Sequence, residues 1–206
     1  MEASQAIRTQ TPRNATAEAL LDAAERLLVE VGHGGISTRR LAEEAGANQG
    51  LVHYYFGSMD ELFVQVLERF TERIIARQRE MYAAEIPFIE KWRTAWRFQE
   101  KDLRAGYSKI WMELQALSWS HPELRPRVAR VNAQWRGVLR GAFSRAAREY
   151  GLDEEKFPVD ALVAITMTFG QGYAIERLEG IDEGHEQLLD WIGRWLERLE
   201  AKEESR

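Results

Sequence analysis

The residues from Ile36 to Leu62 have the spacing needed to recognise the edges of bases in DNA. They contain two short helical patterns separated by a turn at Gly46, and a third helix start follows at Ser58. In a helix-turn-helix, the second helix enters the major groove while the first braces it. The spacing therefore predicts noncovalent groove recognition.

The residues that could bind a metal or catalyse a reaction do not have the spacing that such sites require. The four histidines, His33, His53, His121 and His185, are scattered, and no pair has the spacing of metal ligands. The chain has no cysteine, which excludes disulfides and thiolate sites, and it has no phosphate loop or nucleophile elbow. We expect no catalytic residue, no metal site and no cofactor. We interpret His53 as partly buried and hydrogen-bonded, and His185 as a surface residue.

Signals for helix starts and stops position the groove-reading segment. They are Ser37 or Thr38 at the first helix start, Gly46 at its end, Asn48 before a second helix running from Gln49, and Ser58 with Glu61 at a third start. Upstream, an apolar stripe predicts a helix that begins at Asn14 or Thr16 and ends at Gly32. Three caps at compatible intervals support one another.

The remainder of the chain also has helical patterning. Prolines occur at apparent breaks, and we predict helices over 58–84, 88–104, 106–118, 126–150, 158–178 and 183–200. The expectation is an all-α fold of about nine helices. We divide it into a helix-turn-helix domain at 14–74 and a second helical domain at 75–206.

Many residues of the first third of the chain resemble the DNA-binding domain of the TetR family of bacterial transcriptional regulators. The resemblance is carried by Leu20, Leu21, Ala23, Ala24, Leu27, Leu28, Glu30, Gly32, Ser37, Arg39, Leu41, Ala42, Ala45, Gly46, Gly50, Tyr55, Phe56, Ser58, Glu61 and Leu62. It implies a C-terminal domain for ligand binding and dimerisation. A weaker resemblance covers residues 111–125.

The resemblance also implies roles for residues in the helix-turn-helix. Residues placed for base edges are Arg39, Gln49, Gly50 and Leu51, and residues placed for phosphates are Thr38, Asn48, Tyr54 and Tyr55, with Arg40 adding local charge. Two positions depart from the family pattern. Met59 replaces a lysine that commonly meets phosphates, and His53 replaces a common tyrosine.

Charge gives little general attraction to DNA. The net charge is −5, and the first predicted domain has no lysine and more acidic residues than arginines. The attraction must then come locally, from Arg8, Arg13, Arg39, Arg40 and helix N-termini. We therefore expect affinity for DNA to depend weakly on salt.

The second domain is rich in aromatic residues, because all seven tryptophans follow residue 90. They either fill a core or line a ligand cavity between helices. The candidate ligand-binding residues are Trp92, Trp96, Tyr107, Trp111, Glu113, Gln115, Phe169 and Tyr173. Glu113 either bonds a ligand or faces solvent.

The last two predicted helices carry apolar stripes that suit an association surface. The candidate dimer residues are Leu162, Ile165, Phe169, Leu188, Ile192, Trp195 and Leu196. The alternative is that these stripes cover their own subunit's core. Two helices from each subunit would form a four-helix interface around a twofold axis.

These features together favour a cytoplasmic regulator, most often a repressor in this family. It would bind a double-stranded DNA operator with an inverted repeat as a homodimer, and a small apolar or amphipathic effector would release it. No apolar run is long enough to cross a bilayer, so no membrane partner is expected. One alternative is a helical adaptor that binds protein and not DNA. A less favoured alternative is an all-helical enzyme.

Overall fold

The computed structural model describes residues 12–203, with side chains for residues 15–202. Within that range the chain forms nine α-helices and no strand, which confirms the all-α prediction. The helices are α1 (Pro12–Val31), α2 (Thr38–Ala45), α3 (Gly50–Phe56), α4 (Met59–Ala83), α5 (Phe88–Arg104), α6 (Tyr107–Ser120), α7 (Arg125–Glu149), α8 (Val159–Leu178) and α9 (His185–Glu203). Short 3₁₀ turns occur at His33–Gly35 and Pro122–Leu124.

The chain divides into two compact units, and the division falls within α4. The first unit ends at Leu67 and the second begins at Glu68. No helix among the described residues is both long and apolar enough to span a membrane.

Local capping explains the helices of the first unit. The Ser37 hydroxyl accepts a hydrogen bond from the Arg40 N–H at 3.2 Å, which caps α2. Gly46 ends α2 in the left-handed conformation, with φ of 61°, which glycine adopts without steric cost. The Ser58 hydroxyl accepts from the Glu61 N–H at 3.1 Å and opens α4 as predicted.

The first unit has a small aliphatic core. Helix α1 packs against α2, and side chains from all four helices are buried to 2% exposure or less. The larger of these residues include Leu20, Leu27, Leu28, Leu41, Val52, Leu62 and Val66. One prediction was wrong here, because α1 is already helical at Pro12, before Asn14. Proline suits the first helical turn, since its fixed φ is helical and its missing N–H is not needed there.

The second unit is a bundle in which α5 packs on α6 and α9, and α7 packs on α6 and α8. Its core combines aromatic and small residues, including Tyr82, Phe88, Ala142, Ala146 and Tyr150. The small residues let the helices approach closely while the rings fill the space between them. Gly151 and Gly180 have φ of 56° and 81° at the ends of α7 and α8.

Candidate DNA interface and effector cavity

Helix α3 has one anchored face and one exposed face. Val52 and Phe56 are 0% and 6% exposed, so they fix the helix to its unit. Gln49, Gly50 and Asn48 are exposed at its start, where the Asn48 Oδ1 accepts a hydrogen bond from the Gly50 N–H at 2.8 Å. The regular helix begins at Gly50, one residue after the predicted start.

The other residues predicted to contact DNA are also accessible. Arg39, Arg40 and Tyr54 are exposed, and Thr38, Leu51 and Tyr55 are half-buried. The rings of Tyr54 and Tyr55 meet edge to face, with centroids 5.1 Å apart. Because Leu51 and Thr38 are only half-buried, part of each side chain remains accessible to DNA. None of the nine predicted DNA-binding residues is fully buried.

Acidic neighbours reduce the positive charge of this surface. The Arg39 Nε lies 3.8 Å from a carboxylate oxygen of Glu43, and both side chains are largely exposed. The Arg40 guanidinium lies 3.9 Å from a carboxylate oxygen of Glu30. Such exposed pairs are weak, so each arginine can exchange its partner for a phosphate at small cost. Arg8 and the Arg13 side chain lie outside the described residues.

The structure corrects the interpretation of His53. Its side chain makes a 3.0 Å hydrogen-bond contact from Nδ1 to the Gly57 carbonyl oxygen, but the residue is exposed and not partly buried. Because α3 ends three residues after His53, the ring reaches the carbonyl of the capping residue Gly57 without entering the core.

The second unit contains a cavity of about 180 Å³ between α4, α5, α6, α7 and α8. Its lining is dominated by aromatic side chains, namely Phe70, Tyr82, Trp92, Trp96, Tyr107, Trp111, Trp135 and Phe143. Polar side chains interrupt this surface, namely Thr71, Gln78, Gln99, Asp102, Ser108, Thr166 and Gln171. A mostly apolar cavity with a few polar groups is the usual form of a small-molecule site.

The structure brings together only some of the predicted ligand residues. Trp92, Trp96, Tyr107 and Trp111 line the cavity. The Glu113 carboxylate lies 4.0 Å from Lys109 Nζ on the same helix.

Three further predicted ligand residues also lie outside the lining. The Gln115 side chain makes a 3.9 Å contact with the Met112 sulfur. Phe169 and Tyr173 stand behind the cavity wall, with ring centroids 5.2 and 5.3 Å from that of Trp96.

Helix α4 supplies a cavity wall that the sequence analysis did not predict. Phe70, Thr71, Ile74, Gln78 and Tyr82 all line the cavity. Thr71 and Gln78 are 1% and 7% exposed, and their Oγ1 and Oε1 atoms have no hydrogen-bond partner among the described residues. The sequence did contain a signal for this wall, since Thr71 and Gln78 are two polar residues seven positions apart on an otherwise apolar helical face.

Asp102 is another lining residue that the sequence analysis missed. Its side chain on α5 accepts a 2.6 Å hydrogen bond from Arg77 Nη2. Burial raises the pKa of the Asp102 carboxyl, although the hydrogen bond and charge of Arg77 and the charge of Lys101 act to lower it.

A polar cluster packs beside the cavity and corrects the interpretation of His185. This residue is 8% exposed and buried, with its Nε2 2.5 Å from a Glu176 carboxylate oxygen and its ring 4.7 Å from that of Tyr173. The Tyr173 hydroxyl donates to Glu100. Burial and this bond raise the pKa of Tyr173 to about 12. His185 was expected at the surface because its sequence neighbours are polar, but α9 begins against α8.

The predicted dimer residues divide between the core and the surface. Leu196 is 4% exposed within its own unit's core, and Ile192 and Trp195 pack against that core. Ile165 and Leu188 are 66% and 36% exposed, and Leu162 and Phe169 are half-buried. Four further large apolar residues were not among the predicted dimer residues, although their side chains are 44% to 59% exposed. They are Ile175, Leu178, Ile181 and Trp191.

Comparisons with known proteins agree with this architecture. Residues 20–66 match the model of the bacterial regulatory proteins of the tetR family. An uncharacterized HTH-type transcriptional regulator of Haemophilus influenzae is 31% identical over 81 residues. Residues 20–66 therefore carry the sequence pattern of the tetR family. The match covers 39% of this chain and 43% of that relative, so this chain spans less than half the length of that curated relative.

Solved structures extend the likeness in fold to most of the chain. A TetR transcription regulator from Haloarcula marismortui has a TM-score of 0.71 at 17% identity, covering 88% of this chain and 95% of that chain. The regulator FadR from Bacillus subtilis, solved with stearoyl-CoA, has a TM-score of 0.59 at 15% identity, covering 87% and 96%. The family and these named relatives are transcriptional regulators and not enzymes.

Proposed function

We propose that this chain is a transcriptional repressor of the TetR family that binds an inverted-repeat operator as a homodimer and is released by a small effector. One observation carries the proposal. The start of α3 exposes Gln49 and Gly50 on a helix whose opposite side is anchored by Val52 and Phe56. An anchored helix with an exposed polar start is what groove reading requires.

The exposed side chains suit recognition of bases. Arginine can make two hydrogen bonds to guanine, and glutamine can make two to adenine. Arg39 and Gln49 would supply sequence preference, while Thr38, Asn48 and Tyr54 would fix the register through phosphates. The acidic neighbours of Arg39 and Arg40 reduce the electrostatic attraction between this surface and DNA. The affinity for DNA should therefore fall only modestly as the salt concentration rises.

An exposed apolar surface on α8 and α9 supports dimerisation. Ile165 and Trp191 are 66% and 59% exposed, and Leu188 and Ile175 are 36% and 45% exposed. Several large apolar side chains exposed on two consecutive helices are typical of an interface. A twofold dimer would present two α3 helices about 34–36 Å apart, the length of one DNA turn. This arrangement calls for an inverted repeat.

Helix α4 offers a route from the effector to the DNA-binding unit. It lines the cavity from Phe70 to Tyr82, and its residues up to Leu67 belong to the first unit. An effector that shifts α4 would favour a dimer state in which the α3 helices no longer fit successive grooves. A coupling of about 1–3 kcal/mol would weaken operator binding roughly 5- to 150-fold. The complex of the neighbouring FadR with stearoyl-CoA supports ligand binding by this fold. A regulator that acts in this way on a bacterial operator would work in the cytoplasm.

The direct test is binding to DNA that flanks the chain's own gene, measured by gel shift and fluorescence anisotropy. The double variant Arg39→Ala with Gln49→Ala should keep its circular dichroism spectrum but lose specific binding by at least about tenfold. Arg26→Ala is the matched control, because Arg26 is an exposed arginine on α1 that pairs with Glu44 at 3.0 Å. Specific binding that survives the double variant would overturn the assignment of base readers.

The same experiment separates this proposal from a protein-binding adaptor. An adaptor would bind none of the flanking DNA at any salt concentration. Ile165→Glu tests the dimer, since a charge on this exposed apolar surface should convert the dimer to a monomer in sedimentation and weaken operator binding. An unchanged sedimentation coefficient would exclude this surface as the interface.

A further inference from the structure

The charge of the cavity lining restricts the chemistry of its ligand. Asp102 is the only residue with a formally charged side chain among the described residues that line the cavity. No lysine or arginine belongs to this lining. An anionic ligand would therefore lose its hydration without meeting a cation on the lining, where the one formally charged group is a carboxylate.

Asp102 is buried and paired with one arginine. It is 8% exposed, and its Oδ2 accepts a 2.6 Å hydrogen bond from Arg77, which forms an ion pair with it. The pKa of this carboxyl is raised because burial outweighs the effect of Arg77. A second positive group beside this carboxylate would further offset the cost of burying its charge.

Indole rings surround the same space. Trp92, Trp96, Trp111 and Trp135 line the cavity, and Trp92 and Trp96 meet edge to face with centroids 5.3 Å apart. The face of an indole carries the negative part of its quadrupole and attracts cations, most strongly when water is excluded. Trp92 and Trp96 are four residues apart on one face of α5, and Asp102 lines the cavity from the same helix.

We propose that the effector is an organic cation, an amine or quaternary ammonium on an apolar or aromatic body, held with its charge among the tryptophans and beside Asp102. The inference rests on the proposed function for its regulatory meaning and specifies the ligand of the same cavity. A neutral ligand would fill the apolar walls but add no positive group beside Asp102. An acyl-CoA or a fatty acid would place its anionic group where no basic side chain lines the cavity.

The test compares three probes of similar size on the full chain by calorimetry and tryptophan fluorescence. The probes are benzyltrimethylammonium, its uncharged isostere neopentylbenzene, and phenylacetate. The cation should bind about tenfold more tightly than the isostere, because cation–π and carboxylate contacts are added to the same apolar contacts. Phenylacetate should bind more weakly than either. Tighter binding of phenylacetate, equal affinity of the cation and the isostere, or no binding of the cation at millimolar concentration would overturn the proposal.

Variants test the part played by Asp102. Asp102→Asn should weaken binding of the cation about tenfold while the isostere changes less than about twofold, which also shows that the cavity is intact. Glu154→Gln is the control, since it removes an exposed carboxylate from the same unit outside the cavity lining. An unchanged ratio of the two affinities in Asp102→Asn would refute the role of Asp102. Comparing the three probes on the unaltered chain decides the ligand class if this variant does not fold.

Gel shifts keep the two proposals separate. Operator binding without any probe tests the regulator itself. If the chain binds no DNA but prefers the cation, the proposed function fails and the ligand class stands. If the chain binds an operator but prefers phenylacetate, the proposed function stands and the proposed ligand class fails.

Discussion

Gly170 allows the cavity to be filled without disturbing its walls. It lies within α8 and lines the cavity, and a Cβ placed on it would meet no heavy atom within 4 Å. In a helix interior, alanine is favoured over glycine by about 0.8–1.0 kcal/mol. Gly170→Ala should therefore stabilise the protein by nearly this amount. For a chain of this size, the melting temperature should rise by roughly 2–4 °C.

A larger side chain at Gly170 should block the ligand. Leucine would bring about three further carbon atoms into the cavity, and each ligand CH₂ displaced from apolar burial costs about 0.8 kcal/mol. Gly170→Leu should therefore weaken neopentylbenzene binding by roughly 2–3 kcal/mol, about 30- to 150-fold. Operator affinity without ligand should stay within about twofold of the original value, because Gly170 lies in the second unit.

The assays are thermal unfolding by circular dichroism and a fluorescence titration with neopentylbenzene. Gly137 provides the control, because it lies in α7, is exposed, and also has open space around its Cβ position. Gly137→Ala should give a similar stabilisation, and Gly137→Leu should leave probe binding unchanged. The reasoning about this cavity would be refuted if Gly170→Leu bound neopentylbenzene as tightly as the unaltered chain, or if Gly170→Ala lowered the melting temperature.

The remaining predictions concern charge, capping and pH. Glu43→Gln frees Arg39 from its acidic neighbour and should raise DNA affinity about two- to fivefold at low salt, with no gain at high salt in anisotropy titrations. Ser58→Ala removes the cap of α4 and should lower the unfolding free energy by about 1 kcal/mol in urea; an unchanged midpoint would contradict this. Burial and Glu100 raise the pKa of Tyr173 to about 12, so between pH 10 and 12 the unfolded chain loses this proton first and stability falls as pH rises. Urea unfolding at pH 8 and 11 should show a smaller fall in Tyr173→Phe, and equal falls would contradict the shift.

The sequence by itself predicted the helices with good accuracy. Helix α5 runs from Phe88 to Arg104 as expected, and Ser37, Gly46 and Ser58 cap or end helices where their types indicated. These features are local, because a cap or a helix stop depends on backbone groups within four residues. The exposed start of α3 follows from the same caps and from the buried residues on its other side.

Only the tertiary structure decided which side chains share a cavity. Helical periodicity gives the face on which a residue lies, but not the helix that this face meets. Trp96 therefore lines the cavity while Tyr173 stands behind it, and Thr71 joins the lining from α4, a helix in which the sequence analysis named no ligand residue. His185 is buried because α9 begins against Glu176 of α8, and Leu196 lies in its own core. Such contacts join residues far apart in sequence, and the packing of the whole unit selects them.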